Sequence, residues 1–201
     1  MLPDSTLEHR RESKRKFEEH FLANLADAHK LSELLDRFVA FRQKADARNI
    51  LIDEVDTVAA LETLGIPLGA PLAHHLRVGL VLFRKSDADR RSGFAYKEYY
   101  DYGTEEGKAK VMKVLRESVQ GRRILVVDEM IDSGGQFLAA CDLIEECAGT
   151  FVAGLVYRVC RASGDEGSPP HPELEKFGYV IKKLDPYGLY LVQRRENALS
   201  A

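Results

Sequence analysis

Apolar residues in the first quarter of the chain recur three and four positions apart, at Phe17, Phe21, Leu25, Leu31, Leu34, Leu35, Phe38 and Phe41. Within a charged, glycine-free stretch at 7–48, that spacing predicts two amphipathic helices. The pattern then changes. Apolar runs at 55–61 and 78–83 predict strands, with a helix between them that Gly65-Ile66-Pro67 opens and that runs to about residue 76. Residues 84–107 are polar, glycine-bearing and rich in tyrosine, and read as a long loop or a mobile hairpin. Val111, Val114 and Leu115 have helical spacing and predict a helix over 108–119. A strand at 124–127, a helix at 137–147 and a strand at 151–159 follow. After a Gly-, Ser- and Pro-rich loop at 161–172, segments 179–184 and 189–192 form a closing strand pair around Pro186-Tyr187-Gly188. Alternating strands and helices make this an α/β chain with a mostly parallel central sheet flanked by helices. Residues 1–48 form an N-terminal helical arm, and 49–201 the main domain.

Composition adds bounds. The 201 residues, 45% hydrophobic and 30% charged, suit one ordinary soluble domain with a real core and a small appendage. A net charge of −3 gives no global attraction to nucleic acid or to anionic membrane. Cys141, Cys147 and Cys160 lack the spacing of a zinc site. No apolar stretch is long enough to span a membrane and the N-terminus is too charged for a secretory signal, so a cytoplasmic location is expected. The basic run at 10–16 is followed by Glu18-Glu19 and reads as a solvated helix face; the pair His74-His75 has no metal-ligand partner spacing.

The chemistry concentrates in Val126-Val127-Asp128-Glu129-Met130-Ile131-Asp132-Ser133-Gly134-Gly135-Gln136. A buried strand ends in two adjacent carboxylates and passes through a hydroxyl and two glycines into a helix. Glycines let an anion approach the backbone, and the helix N-terminus favours negative charge. The carboxylates can accept hydrogen bonds from two neighbouring hydroxyls. A 5-phosphorylated ribose offers both groups. The segment resembles the phosphoribosyl-pyrophosphate (PRPP) motif of type I phosphoribosyltransferases. Upstream, Glu62-Thr63-Leu64-Gly65 and the Gly-Ala-bearing helix after it look like the pyrophosphate loop of adenine phosphoribosyltransferases. Arg84-Lys85 is similar to that family's Arg-Lys pair, and Tyr100-Asp101-Tyr102-Gly103-Thr104 to the segment that closes its mobile loop. These matches keep the family's order over about half the chain.

The resemblance implies a type I phosphoribosyltransferase-like fold and a reaction between PRPP and a purine base, adenine first, with Mg²⁺ carried largely by PRPP itself. It also implies roles. Asp128 and Glu129 would hold the ribose hydroxyls, stabilise positive charge on the ribose as pyrophosphate leaves, and contact the metal indirectly. Asp132, Ser133, Gly134, Gly135 and Gln136 would cradle the 5-phosphate. Glu62, Thr63, Leu64, Gly65, Arg84 and Lys85 would meet pyrophosphate, with Lys85 contributing to catalysis. Met130 and Ile131 would pack on the base. Lys97, Glu98, Tyr99 and Tyr100 would belong to the mobile loop or, equally, to a surface hairpin or subunit contact. Asp132 is either a general acid or base for a purine ring nitrogen or an N-cap. A homodimer is expected, with no membrane and no nucleic acid among the partners.

The chain departs from the family pattern at several points. Leu64 replaces the loop's Arg, Glu129 stands for the usual Asp, Gln136 for the final Thr, and Asp132 for the Ala of adenine enzymes. The adenine family's N-terminal signature is absent. These departures also admit a second class, a PRPP- or nucleotide-sensing regulator without turnover.

Overall fold

The computed structural model describes residues 4–40, 54–86, 90–100, 109–160, 172–184 and 188–195. The two amphipathic helices of the arm are α1, Asp4–Ala26, and α2, Ala28–Val39. Asp27 separates them because its carboxylate accepts from the amides of His29 and Lys30 at 3.0 and 3.1 Å, satisfying two donors that the start of α2 leaves open.

The main domain is built on one eight-stranded sheet. In chain order its elements are β1 (Thr57–Leu61), α3 (Ile66–Leu76), β2 (Gly79–Ser86), β3 (Phe94–Tyr99) and β4 (Lys110–Leu115). They continue with β5 (Arg123–Ile131), α4 (Gly135–Glu146), β6 (Thr150–Val159), α5 (Pro172–Lys176), β7 (Tyr179–Lys183) and β8 (Tyr190–Arg194). The spatial order is β3-β4-β2-β1-β5-β6-β8-β7. The four central strands are parallel, as the apolar runs predict, and an antiparallel pair closes each edge.

One prediction is corrected here. Residues 110–115 are a strand, not a helix; only Arg116–Ser118 turn as a 3-10 helix. Val111, Val114 and Leu115 have helical spacing, but burial falls on Met112 and Val114, two apart. Pairing with β3 on one side and β2 on the other decides the matter, since a strand between two partners rewards β-branched residues in extended form. The loop expected at 84–107 is, where described, the end of β2 and the strand β3. Lys97, Glu98 and Tyr99 therefore lie on a strand; Tyr99 is buried in the core and Lys97 pairs with Asp142 and Glu146 of α4. Residues 101–104 of the expected closing segment, and the loop at 161–171, fall outside the described residues.

Two apolar layers cover the sheet. Phe17, Phe21, Leu34 and Phe38 of the arm join Leu68 and Leu72 of α3 against Val58, Leu125, Val127 and Leu155 on one face. Phe137, Ala140 and Ile144 of α4 pack against Ala59, Phe83, Ile124 and Val126 on the other. From β1 the chain thus passes over one face, through α3, to β2; from β5 it passes over the opposite face, through α4, to β6. The carboxyl ends of β1 and β5 lie side by side where the two windings diverge, and such a divergence opens a crevice suited to a ligand.

Candidate active site

That crevice is a cleft of about 280 Å³. It is lined by Glu62, Thr63 and Leu64 after β1, Lys85 at the end of β2, Lys110 at the start of β4, and Asp128, Glu129, Met130, Asp132 and Gln136 at the end of β5 and the start of α4. Lys14 and Glu18 of α1 close it from above the sheet.

Each wall has a local cause. After β1 the chain turns tightly because Gly65 sits against the sheet. A Cβ there would lie 2.6 Å from the Leu61 carbonyl oxygen and 2.7 Å from that of Val127. The Glu62–Thr63 peptide bond is cis. Glu62 is tied down at both ends. Its carboxylate accepts from the Lys85 amide at 2.8 Å and faces Arg84 Nε at 3.7 Å, while its carbonyl accepts from Gln136 Nε2 at 3.1 Å. The Gln136 bond ties the loop after β1 to the first turn of α4. At that turn Gly134 takes the left-handed conformation, φ 83°, and has no side chain with which to cap α4, whose dipole leaves the turn electropositive. Ser133 Oγ accepts from the Gly135 amide at 3.2 Å and lies 3.4 Å from the Tyr100 carbonyl oxygen.

Asp128 is 3% exposed. Burial, then the neighbouring Glu129 carboxylate, push its pKa well above the ordinary range; the Glu129 amide, which donates to Asp128 Oδ1 at 3.0 Å, and the Lys85 ammonium work against that rise. Glu129 Oε2 is buried without a hydrogen-bond partner. An unpaired buried acceptor is costly, so the pair is built to receive donors or a cation that the protein alone does not supply. Because the native pKa of Asp128 is raised, its protonated form binds in the folded state above pH ~4, where the unfolded chain has lost the proton. The associated stability is full below that pH and is lost as pH rises through the native pKa. Asp128→Asn keeps the acceptor for the Glu129 amide and removes the charge. Thermal melts should show D128N above wild type at pH 8 and level with it near pH 4; a variant that melts lower at pH 8 would contradict a strained carboxylate.

Placement of the expected residues divides as follows. Asp128, Glu129, Asp132, Gln136, Glu62, Thr63, Leu64, Lys85 and Met130 share the cleft. Ser133, Gly134 and Gly135 form the turn between Asp132 and Gln136 and are not among the residues that line the cleft. Arg84 is 59% exposed and holds Glu62 from outside. Ile131, expected against the base, is instead 2% exposed in the α4-side core, because successive strand residues point to opposite faces. Tyr100 is exposed, and its carbonyl lies near the turn before α4. Asp132 is not the N-cap of α4; Lys14 Nζ approaches its carboxylate at 3.7 Å. Lys14, Glu18 and Lys110 escaped sequence reasoning. Helical phase within the basic run was the signal for Lys14, and strand alternation in 110–115 the signal for Lys110.

The donor set fits a divalent cation that arrives with a polyphosphate. Glu18, Glu62, Asp128, Glu129 and Asp132 set five carboxylates against the three ammonium groups of Lys14, Lys85 and Lys110. Such a cleft repels a bare polyanion. Asp128 and Glu129 are oxygen donors of the kind Mg²⁺ accepts while keeping waters and substrate oxygens. Among the described residues, no group of three or more His, Cys, Asp or Glu is arranged as a metal cage.

Residues 24–164 match the phosphoribosyl transferase domain. An adenine phosphoribosyltransferase of Bifidobacterium longum is 36% identical over 148 residues, 73% of this chain and 70% of that protein. One from Chloroflexus aurantiacus is 37% identical over 105 residues, 52% of this chain and 57% of the relative. Among solved structures, the adenine phosphoribosyltransferases of Thermoanaerobacter pseudethanolicus and Saccharomyces cerevisiae share the fold. Both have a TM-score of 0.54, at 24% and 23% identity, covering 67% and 65% of this chain and 72% and 69% of theirs. The domain match, which embraces both walls of the cleft, makes the chain a member of the phosphoribosyltransferase family.

Proposed function

We propose that the protein transfers the 5-phosphoribosyl group of PRPP to adenine, giving the mononucleotide and pyrophosphate, a step of purine salvage. The observation that carries this reading is the acidic pair at the end of β5, with an unpaired buried oxygen on Glu129, set between the N-terminus of α4 and the glycine loop after β1. That arrangement matches the order of groups in PRPP: phosphate, ribose diol, pyrophosphate. The relatives that share the domain are named for adenine.

In this reading the 5-phosphate sits on the amides and hydroxyl of Ser133 to Gln136, and the ribose diol donates to Asp128 and Glu129. As the bond from ribose C1 to the pyrophosphate oxygen breaks, pyrophosphate departs with the electron pair and positive charge develops on the ribose. The two carboxylates stabilise that charge in a water-poor cleft, where fixed charges act strongly. The base nitrogen then bonds to C1, and its proton passes to Asp132, whose carboxylate the Lys14 ammonium faces. Met130, with Cys160 Sγ 3.4 Å from its Sδ, supplies an apolar surface for the flat ring. Mg²⁺ bound with PRPP neutralises pyrophosphate oxygens and so assists the leaving group.

Residues 1–48 act as the hood over the base. The protein works as a cytoplasmic homodimer; Leu80 and Leu82 of β2 remain exposed beside α3, an apolar strip of the kind a second copy covers. No helix among the described residues is long and apolar enough to cross a membrane.

Incubation with PRPP and Mg²⁺ against adenine, hypoxanthine, guanine, xanthine, uracil and orotate tests the reading. The expected result is a mononucleotide from adenine, with pyrophosphate in equal amount. Turnover of another base alone would overturn adenine while leaving the transfer. No product from any base would overturn the transfer itself.

A further inference from the structure

The cleft contains a group from an unexpected part of the chain. Lys14 lies on α1, more than a hundred residues before the acidic pair, yet its Nζ stands 3.7 Å from Asp132 Oδ2 with its side chain only 31% exposed. Its neighbours behave differently. Arg15 and Lys16 point to solvent and pair with Glu12 and Glu19 along the helix, as the mixed-charge pattern predicts.

The position of Lys14 is fixed from below. Arg158 of β6 donates to Ser13 Oγ at 3.1 Å and stacks its guanidinium over Phe17, 4.8 Å from the ring centre. Phe17 and Phe21 in turn pack against the Tyr157 ring, with centroids 6.0 and 5.8 Å away. Ser13 and Phe17 bracket Lys14 on the helix, so these contacts set both the rotation and the height of α1. A lysine so placed is held by the core, not by its weak ion pair. At 3.7 Å and partly exposed, that pair is worth at most about 1 kcal/mol and does not explain why α1 takes this register.

Charge supplies the reason. The loop at 62–65 carries one carboxylate and no cation, and the nearest arginine, Arg84, is spent on Glu62 outside the cleft. Lys85 and Lys110 both come from the β2–β4 side. Among the described lining residues, Lys14 is the ammonium that faces them from the opposite wall, beside the phosphate turn.

We propose that Lys14 is a substrate-binding residue, whose ammonium holds anionic oxygens of PRPP and for which Asp132 is the resting partner. This inference rests on the reading of the cleft as a PRPP site. The N-terminal arm is then a wall of the active site that carries part of its ligand set.

The test uses the full-length chain, with Lys14→Gln and Lys14→Arg beside wild type. Two readouts are taken: KM for PRPP at saturating base, and calorimetric binding of Mg²⁺-pyrophosphate and Mg²⁺-PRPP, which needs no turnover. K14Q should raise KM and the PRPP dissociation constant about 10-fold, equivalent to one charged contact of ~1.4 kcal/mol, with the melting temperature unchanged. K14R should recover most of the loss. Unchanged KM and unchanged binding in K14Q would overturn the proposal, as would a loss confined to kcat. Should wild type bind Mg²⁺-PRPP but transfer it to no base, weaker binding by K14Q would still sustain Lys14 while the transfer reading fell. If wild type does not bind PRPP at all, both fall.

Discussion

Replacing Asp128 with Asn and Glu129 with Gln together is expected to lower kcat/KM for PRPP by roughly 10³-fold or more while leaving a folded protein. The magnitude follows from the kind of work the pair does. Removing a single preorganised group aimed at developing charge costs about 10²–10³ in kcat, and here two carboxyl groups are lost, one of them buried. Their amide replacements keep size and most hydrogen bonds to the ribose diol, so ground-state binding should suffer less than turnover. The structure adds a second signature. Burial and the adjacent carboxylate strain the ionised Asp128, so neutral amides relieve that strain. The double variant should therefore melt higher than wild type near neutral pH even as activity collapses. Steady-state kinetics and thermal melts on the same preparation check both. A folded variant with near-native kcat/KM would remove the acidic pair from the mechanism; a variant inactive only because it melts early would leave the pair's role to be shown by PRPP binding.

Gain of stability with loss of activity separates a site from a core. It also explains why this part of the molecule was the most legible in the sequence. An apolar run ending in two carboxylates contradicts the logic of a buried strand, and such a contradiction marks function. The Gly-Gly turn and the apolar-periodic helix after it left little choice of geometry, and α4 starts at Gly135, two residues before the apolar-periodic segment expected at 137–147.

Legibility failed where local pattern was degenerate or where the third dimension decided. Residues 110–115 have helical spacing in the sequence, and their pairing with β2 and β3 overrides it. Ile131 was placed against the base because it follows Met130, although strand alternation alone sends the two to opposite faces. Composition reads Glu98 and Tyr99 as part of a mobile loop or, equally, of a surface hairpin or subunit contact; the aromatic and alkyl parts of 94–99 in fact serve a strand facing α4, against which Tyr99 is buried. Lys14 could not be singled out from Arg10, Arg11, Arg15 and Lys16 without knowing which side of α1 the Phe17–Tyr157 contact turns toward the sheet. Local sequence marks the candidate site; packing across more than a hundred residues determines what surrounds it.

That division predicts where a minimal substitution does most damage. Gly65→Ala adds one methyl group in the loop after β1, far smaller than the change at the acidic pair, yet it is expected to remove activity and to cost several kcal/mol of stability. The added carbon would stand 2.6 Å from the Leu61 carbonyl oxygen, 2.7 Å from that of Val127 and 3.0 Å from the Leu61 amide nitrogen. All three are backbone atoms of β1 and β5, the strands that carry the two walls of the cleft, so no side chain can swing aside to make room. Relief requires either that the loop lift off or that β1 and β5 part. Lifting the loop breaks the bonds that Gly65 makes through its own amide, to Leu61 O at 3.1 Å, and through its carbonyl, from the Gly69 amide at 2.8 Å. It also displaces Glu62 and, through Gln136, the first turn of α4. Parting the strands disrupts the parallel register Ala60↔Val127 in the centre of the sheet. Either route falls among the few mechanisms that exceed the usual ~1 kcal/mol of a point change, since a packed interior yields little. Denaturant unfolding should show a lower midpoint, and calorimetry should show the loss of Mg²⁺-pyrophosphate binding. Gly69→Ala offers the comparison. Its nearest new contact is a side-chain methyl, Ala60 Cβ at 2.7 Å, with the next atoms at 3.4 Å or beyond, so it strains the seat of α3 without touching the loop backbone. G69A should lose stability but keep pyrophosphate affinity in the folded fraction, whereas G65A should lose both. If G65A instead binds pyrophosphate as wild type does, the tight seat of this loop on the sheet is not what shapes the site.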